Sequence, residues 1–325
     1  MVPVPAGGPR MSEAAEHEPV MVGEVVDLLR PVPPGLVVDA TVGLGGHSRA
    51  VLSARPDVRL LGLDQDADAL AAAAGALSAF GARATLRAAR FDRLRAVLDD
   101  IGEEEVSAVL FDLGVSSPQL DRPERGFSYR AAGPLDMRMD ASAPLTAADV
   151  VNTYDEGRLA RVLFEYGDER HARRIAGAVV AARPLSTTIE LAGVVRDAIP
   201  APARRRGGHP ARRTFQALRI EVNQELDVLG PALDQALAAL RPGGRCVVVA
   251  YHSGEDRIVK ERFRTAATGG CTCPPRLPCV CGAIPTVRLV TRGARRPSAD
   301  EVARNHRAES ARLRAVEKLD VEVAA

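Results

Sequence analysis

The chain has 325 residues, 46% hydrophobic and 26% charged, with a formal net charge of +1 and five cysteines. That apolar content supports a core for one large domain or two ordinary ones and excludes a disordered polyelectrolyte, and no apolar run approaches membrane-spanning length. Four of the five cysteines crowd between Cys271 and Cys281, which excludes a disulfide framework spread over the fold and fits a cytosolic, cytoplasmic protein.

Residues 1–16, rich in Pro, Gly and Ala, read as a loose tail rather than a signal peptide. The first predicted strand, 36–40, carries Asp39 and breaks into Thr41-Val42-Gly43-Leu44-Gly45-Gly46-His47-Ser48. The glycines let the backbone approach a ligand with no Cβ in the way, and a helix starting near His47-Ser48 offers unpaired N–H groups. A strand over 58–64 ends in Asp64, at the spacing where an acid grips a ribose diol. Ser48 stands where G-x-G-x-x-G needs its third glycine, which disfavours a dinucleotide. Further strands are predicted at 84–88 and 106–113, with helical spacing over 68–80 and 92–101, and this alternation implies a parallel, doubly wound α/β sheet.

From 147 to 199 the pattern is helical, with amphipathic stretches at 152–164, 169–182 and 188–199. One long helix over 214–240, a turn at Pro242-Gly243-Gly244 and a strand over 245–250 resume the sheet, and 265–300 reads as irregular. The predicted organisation is a sheet domain, 17–134 and 214–325, with an inserted all-helical substrate-recognition domain, 135–213. Hinges fall near Gly133-Pro134 and Gly207-Gly208-His209-Pro210.

Asp39, Asp64, Asp112 and the loop after Phe91 are expected to meet beyond the C-terminal strand ends, where open α/β sheets bind ligands. His47 and Phe91 read by themselves as packing residues. Ser116-Ser117-Pro118 read by itself is an ordinary turn. His252, after the fifth strand at the same edge, is either a cap of the strand-to-helix turn or a group that holds a base and takes its proton. Cys271-x-Cys273 and Cys279-x-Cys281 offer four thiolates for tetrahedral zinc or form a reduced, metal-free loop. Residues 201–219 hold six arginines (Arg204, Arg205, Arg206, Arg212, Arg213 and Arg219) and no acid, and 288–318 hold nine basic and four acidic residues. Such patches are either solvated faces or the footprint of a polyanion.

The form Asp-x-x-x-Gly-x-Gly-Gly resembles the loop of S-adenosylmethionine-dependent methyltransferases, with Asp39 toward the methionine end and Asp64 toward the ribose. Ser116-Ser117-Pro118 is similar to the Ser/Asn/Asp-Pro-Pro-aromatic loop of enzymes that methylate exocyclic amino groups. There the amine lone pair is delocalised into the ring, and acceptors that grip its hydrogens make it nucleophilic. Gln119 and Leu120 replace the second Pro and the aromatic, so stacking is expected from Phe127 or Tyr129. Ring-carbon methylation needs a cysteine near this loop, and none stands there; Cys246 reads as a buried strand residue.

More specifically, His17-Glu18-Pro19-Val20-Met21, Asp112-Leu113-Gly114-Val115-Ser116-Ser117-Pro118-Gln119-Leu120-Asp121, Glu124-Arg125-Gly126-Phe127-Ser128, Gly133-Pro134-Leu135-Asp136-Met137-Arg138-Met139-Asp140, Arg213-Thr214-Phe215-Gln216-Ala217-Leu218-Arg219-Ile220 and His252-Ser253-x-Glu255-Asp256-Arg257-Ile258-Val259-Lys260 resemble the bacterial ribosomal RNA cytosine-N4 methyltransferase family of RsmH (MraW) type. The resemblance implies a Rossmann-like fold and methyl transfer from S-adenosylmethionine to the N4 amine of one cytidine, cytosine-1402, near the decoding centre of 16S ribosomal RNA. It implies 16S ribosomal RNA or the small ribosomal subunit as partner, with no DNA and no membrane. It also implies that Gly45, Gly46, His47, Asp64, Phe91, Asp112 and Gln119 contact the cofactor, with Ser116, Ser117 and His252 as the catalytic candidates.

Overall fold

The computed structural model describes residues 19–204, 208–274 and 280–320, apart from the side chain of Ser117. The tail 1–16, Arg205, Arg206, Gly207 and Cys279 therefore lie outside the described residues. Strands β1 (Gly35–Asp39), β2 (Val58–Asp64), β3 (Ala84–Ala88), β4 (Val106–Asp112) and β5 (Leu240–Ala250) pair in parallel, and β6 (Val287–Leu289) and β7 (Arg312–Lys318) pair antiparallel. Their order is β3-β2-β1-β4-β5-β7-β6. The sheet grows from β1 toward β3, then restarts at β4 on the other side of β1, and that switch opens a crevice at the C-terminal strand ends.

The α/β class is as expected, but the sheet is mixed rather than wholly parallel. β6 lies inside the stretch read as irregular, and β7 had no expected counterpart. Both are held as much by charge as by apolar alternation. Glu317 on β7 accepts from Arg245 on β5 at 2.9 and 2.8 Å and from Arg288 on β6 at 2.9 and 2.7 Å, so one carboxylate clamps three strands. Pro242-Gly243-Gly244 forms an irregularity within β5: the pairing steps from Val106↔Leu240 to Ala108↔Arg245, with Gly243 at φ 75.

In chain order the helices are α1 (Val22–Leu29), α2 (Gly46–Ala54), α3 (Ala67–Leu77), α4 (Leu94–Asp100), α5 (Ser117–Asp121), α6 (Ala147–Thr153), α7 (Glu156–Gly167), α8 (Ala172–Ala181), α9 (Thr188–Ala198), α10 (Ala201–Arg204), α11 (Arg212–Asn223), α12 (Glu225–Ala239), α13 (Ser253–Thr268) and α14 (Ala299–Arg304). Strand residues alternate between faces. Val38, Phe111 and Val248 pack with Leu98, Leu233 and Phe263 of α4, α12 and α13, whereas Val37, Leu110 and Val247 pack with Leu29, Leu52 and Leu77 of α1, α2 and α3. Among the described residues no helix is long and apolar enough to cross a membrane.

A third apolar cluster joins Leu135, Leu163, Ile175, Val179, Leu191 and Val195 to Phe127, Phe215, Leu218 and Val222. Its members run well past residue 213, so the proposed boundary of the helical unit falls inside α11, which the cluster keeps. The helix expected over 152–164 divides at Asp155, whose carboxylate accepts from the Arg158 N–H at 2.8 Å and caps α7.

The helix expected over 214–240 divides too, at Gln224, which sits at φ 55 and ψ 31. The preceding Asn223 is pinned: its Oδ1 accepts from Met139 N at 2.8 Å, and its Nδ2 donates to Met137 O at 2.8 Å and Arg219 O at 2.9 Å. The exposed Gln224 thus occupies a left-handed turn that glycine adopts at lower cost. Gln224→Gly should stabilise the protein by about 0.5–1 kcal/mol, read as a raised urea midpoint at unchanged slope; a lowered midpoint would show that the turn is not strained.

Candidate active site

The loop after β1 is shaped by Asp64. Its Oδ2 accepts from the Gly43 N–H at 2.9 Å and its Oδ1 from the Asp66 N–H at 2.9 Å, so the carboxylate at the end of β2 folds the glycine loop against itself. Burial raises the Asp64 carboxyl above its ordinary value, against the pull of these two bonds. Gly43 at φ 51 and Gly45 at φ 81 take conformations that a side chain disfavours, and a Cβ on Gly46 would collide with Pro19. Gly45 lies behind the loop, toward Ala73 and Leu77 of α3, and does not line the cavity. Its φ of 81 is one reason for a glycine there.

A cavity of about 400 Å³ opens at the switch between β1 and β4. Gly43, Gly46, His47, Asp64, Phe91, Asp112, Ser116, Gln119 and His252 all line it. Phe91 meets Phe111 edge-on, with centroids 5.9 Å apart. His47 is buried, with Nε2 3.3 Å from Asp112 Oδ2, yet neither ring nitrogen is aligned for a hydrogen bond. Burial alone would favour the neutral ring, but Asp112, with Asp39 behind it, holds its pKa above the ordinary histidine value. Tyr251 donates its hydroxyl to Asp112 Oδ1 at 2.7 Å, and the Asp112 N–H donates to Thr41 Oγ1 at 2.7 Å. Nothing in the sequence assigned Tyr251 this role.

Ser116 heads the short helix α5, and its N–H donates to Gln119 Oε1 at 2.9 Å. Gln119 Nε2 donates to Asp66 Oδ2 at 2.8 Å, and Arg125 Nη2 donates to the same oxygen at 2.9 Å. Gln119 is therefore a brace between the loop after β4 and the start of α3, with one amide hydrogen left over. His252 caps α13. Its Nδ1 accepts from the Glu255 N–H at 3.4 Å, whereas its Nε2, 3.1 Å from Glu255 Oε1, is buried without an aligned hydrogen bond. His252 thus caps α13 and also lines the cavity, and the cap does not use its second ring nitrogen.

The opposite wall comes from the helical unit. Phe127, Tyr129 and Phe215 line it, with Tyr129 stacked on His209 at 4.3 Å and edge-on to Phe215 at 5.6 Å. Arg219 and Glu225 bury a bidentate ion pair at 2.7 and 2.8 Å in the same wall. Of the basic run, Arg212 is exposed at the rim, Arg213 donates to Asp168 O at 3.0 Å, and Arg204 donates to Ile199 O at 2.7 Å. Cys246 is buried in β5, and the Sγ atoms of Cys271, Cys273 and Cys281 lie within 4.8 Å of one another, off the cavity.

Asp39 is buried behind the loop, where Ser48 Oγ donates to its Oδ2 at 2.6 Å and the Thr41 N–H to its Oδ1 at 3.3 Å. Burial dominates these bonds and raises its pKa to about 6. A carboxyl that holds its proton more tightly folded than unfolded contributes stability below about pH 4, which is lost as pH rises through about 6. Asp39→Asn cannot ionise, so its unfolding free energy should gain on the wild type by about 2 kcal/mol between pH 4 and pH 7. Parallel pH curves for the two proteins would contradict this.

A model of the MraW methylase family matches residues 14–319. A protein from Acidothermus cellulolyticus named ribosomal RNA small subunit methyltransferase H is 55% identical over 96% of this chain and 96% of its own length. A protein of the same name from Symbiobacterium thermophilum is 52% identical over 94% of this chain and 98% of its own. A solved structure titled a putative rRNA-methylase from Clostridium thermocellum aligns over 93% of this chain and 98% of that one, at 15% identity and a TM-score of 0.43. The glycine loop, the acid at the end of β2 and the matched length converge: the chain belongs to the MraW methylase family and is an S-adenosylmethionine-dependent methyltransferase.

Proposed function

We propose that the protein methylates the N4 amine of one cytidine, cytosine-1402, in 16S ribosomal RNA of the small subunit. The observation that carries this reading is a single cavity with two unlike walls: glycine loop, Asp64 and Phe91 on the sheet side, and Phe127, Tyr129 and Phe215 on the helical side. The relatives' shared name, ribosomal RNA small subunit methyltransferase H, supports the substrate class.

The sheet-side residues fit S-adenosylmethionine. Each Asp64 oxygen spends one lone pair on a backbone N–H and keeps another for a ribose hydroxyl. Phe91 offers a flat apolar surface for adenine, and His47 has buried ring nitrogens without a hydrogen-bond partner. When bound, the cofactor supplies an electrophilic sulfonium methyl. Ser116, Ser117 and the backbone of their loop hold the amino hydrogens of the target base so that its nitrogen lone pair faces that methyl. An aromatic of the helical wall stacks on the base, which must leave the RNA stack to enter. The methylated amine sheds its proton readily, so no strong base is needed. His252, turned to Glu255, shapes the wall.

The thiols support an amine over a ring carbon as acceptor. Attack on ring carbon needs a thiolate; burial pushes the Cys246 thiol well up, against ionisation, and no described cysteine lines the cavity.

Asp64→Ala should weaken S-adenosylmethionine binding by about 1.5–3 kcal/mol, or roughly 10- to 150-fold, by titration calorimetry; equal affinities would remove Asp64 from the cofactor site. For the reaction itself, nucleosides of small-subunit RNA treated with the enzyme should show N4-methylcytidine by mass spectrometry. Cys246→Ala should form it nearly as fast as the wild type. A product methylated on ring carbon would overturn the proposed chemistry.

A further inference from the structure

The segment between α13 and β6 is a structural problem the methyl-transfer site does not explain. It runs from Gly269 to Thr286, longer than the roughly 12–15 residues beyond which a loop without regular structure is uncommon. None of its described residues is buried, and Val280 and Ile284 are 89% and 61% exposed, so the described residues supply no apolar core to hold it. Its two ends are nevertheless pinned. Gly269, at φ 62, lets the backbone of Ile284 cross where a Cβ would leave 2.5 Å, and the Thr286 N–H donates to Ala266 O at 2.9 Å.

Just inside that neck, the chain turns three sulfur atoms to one point. The Sγ atoms of Cys271, Cys273 and Cys281 lie within 4.8 Å of one another. Thiolates sharing one tetrahedral zinc at about 2.3 Å lie about 3.8 Å apart, so closing on an ion needs an inward shift of no more than about 1 Å. These cysteines are not packing residues: Cys271 and Cys273 are half-buried and Cys281 is exposed, in contrast to the fully buried Cys246. Cys271-x-Cys273 brings two sulfurs over one short turn, and Cys281 brings the third from the other end of the segment.

We propose that the thiolates of Cys271, Cys273 and Cys281 bind one zinc ion, which closes the loop between α13 and β6. Each thiol gives up its proton to solvent on binding, and the metal–sulfur bonds supply the stabilisation that buried apolar area supplies elsewhere. The tie has a structural consequence. β6 is the outermost strand, held through Arg288 and Glu317 to β7, and Arg312 and Arg314 of β7 bond Asp256 near the start of α13. A closed loop fixes the far end of α13 to the same edge.

The test uses the full chain purified under reducing conditions, stripped with chelator, re-loaded with zinc and dialysed. Elemental analysis should give about one zinc per chain, falling to near zero in C271S/C273S and staying near one in Cys246→Ala. Cobalt loaded in place of zinc should show sulfur-to-metal charge transfer and the strong visible bands of tetrahedral coordination. Denatured, chelated protein should then titrate as five thiols. Zinc near zero after loading, zinc retained by C271S/C273S, fewer than five thiols, or iron and sulfide in place of zinc would each overturn the proposal. S-adenosylmethionine binding by C271S/C273S reports whether that variant is folded; if it is not, the cobalt spectrum of the wild type decides alone. None of these readouts depends on which RNA atom is methylated.

Discussion

Three carboxylates at one sheet edge set the terms for the rest of the site. Parallel pairing brings Asp39 opposite Gly62 of β2 and Leu110 of β4, so the acids that end β1, β2 and β4 emerge side by side. Like charges this close are tolerated only if each has its own donors or a nearby cation. Asp39 takes Ser48 and Thr41, Asp64 takes two backbone N–H groups, and Asp112 takes Tyr251 with His47 alongside. The glycine loop is the backbone's way of delivering those donors. Its left-handed turns at Gly43 and Gly45 follow from the need to point N–H groups back at Asp64 and on into α2.

The helical unit closes over this edge through a few directed ties. Asn223 bonds the backbone at Met137 and Met139, which fixes the end of α11 to the segment leading into the helical unit. Arg125 bridges Asp66 and the carbonyls of Arg138 and Met139, so the brace at Gln119 and the entry to the helical unit share one guanidinium. The two walls of the cavity are therefore positioned by the same buried polar network. A substitution at Asp66 acts on both.

Much of the sheet was legible because buried parallel strands are continuous apolar runs, as Val106–Asp112 shows, and because glycine after an acid has few uses. What escaped notice was held by pairing that periodicity does not reveal. β7 reads as alternating charge, and only the structure shows Glu317 bonding Arg245 and Arg288 across three strands. The break at Gln224 was hidden because apolar spacing continues through it; the bonds of Asn223 that force the turn reach residues more than eighty positions away. Gln119 and His252 stand in motifs that point to ligand or catalytic groups, and the structure adds bracing by both polar atoms of Gln119 and capping by one ring nitrogen of His252. Gly45 shows the same limit, since a glycine needed for φ and one needed for ligand clearance look alike in sequence.

Charge then sorts the two ligands. The sheet edge is anionic, which suits a sulfonium cation and repels phosphate; two opposite charges about 4 Å apart gain about 4 kcal/mol at an effective dielectric constant near 20. The rim is different: Arg212 is exposed beside the cavity mouth. Its field is screened over about 8 Å at physiological salt, so it acts on a proposed RNA substrate close to the mouth. Unlike the phosphates, the uncharged base of a polynucleotide is opposed by neither field. In the proposed reaction the target base passes this rim toward the aromatic wall of Phe127, Tyr129 and Phe215. An anionic floor behind an exposed arginine thus suits a cationic donor and, in the proposed reaction, an uncharged acceptor within the same 400 Å³.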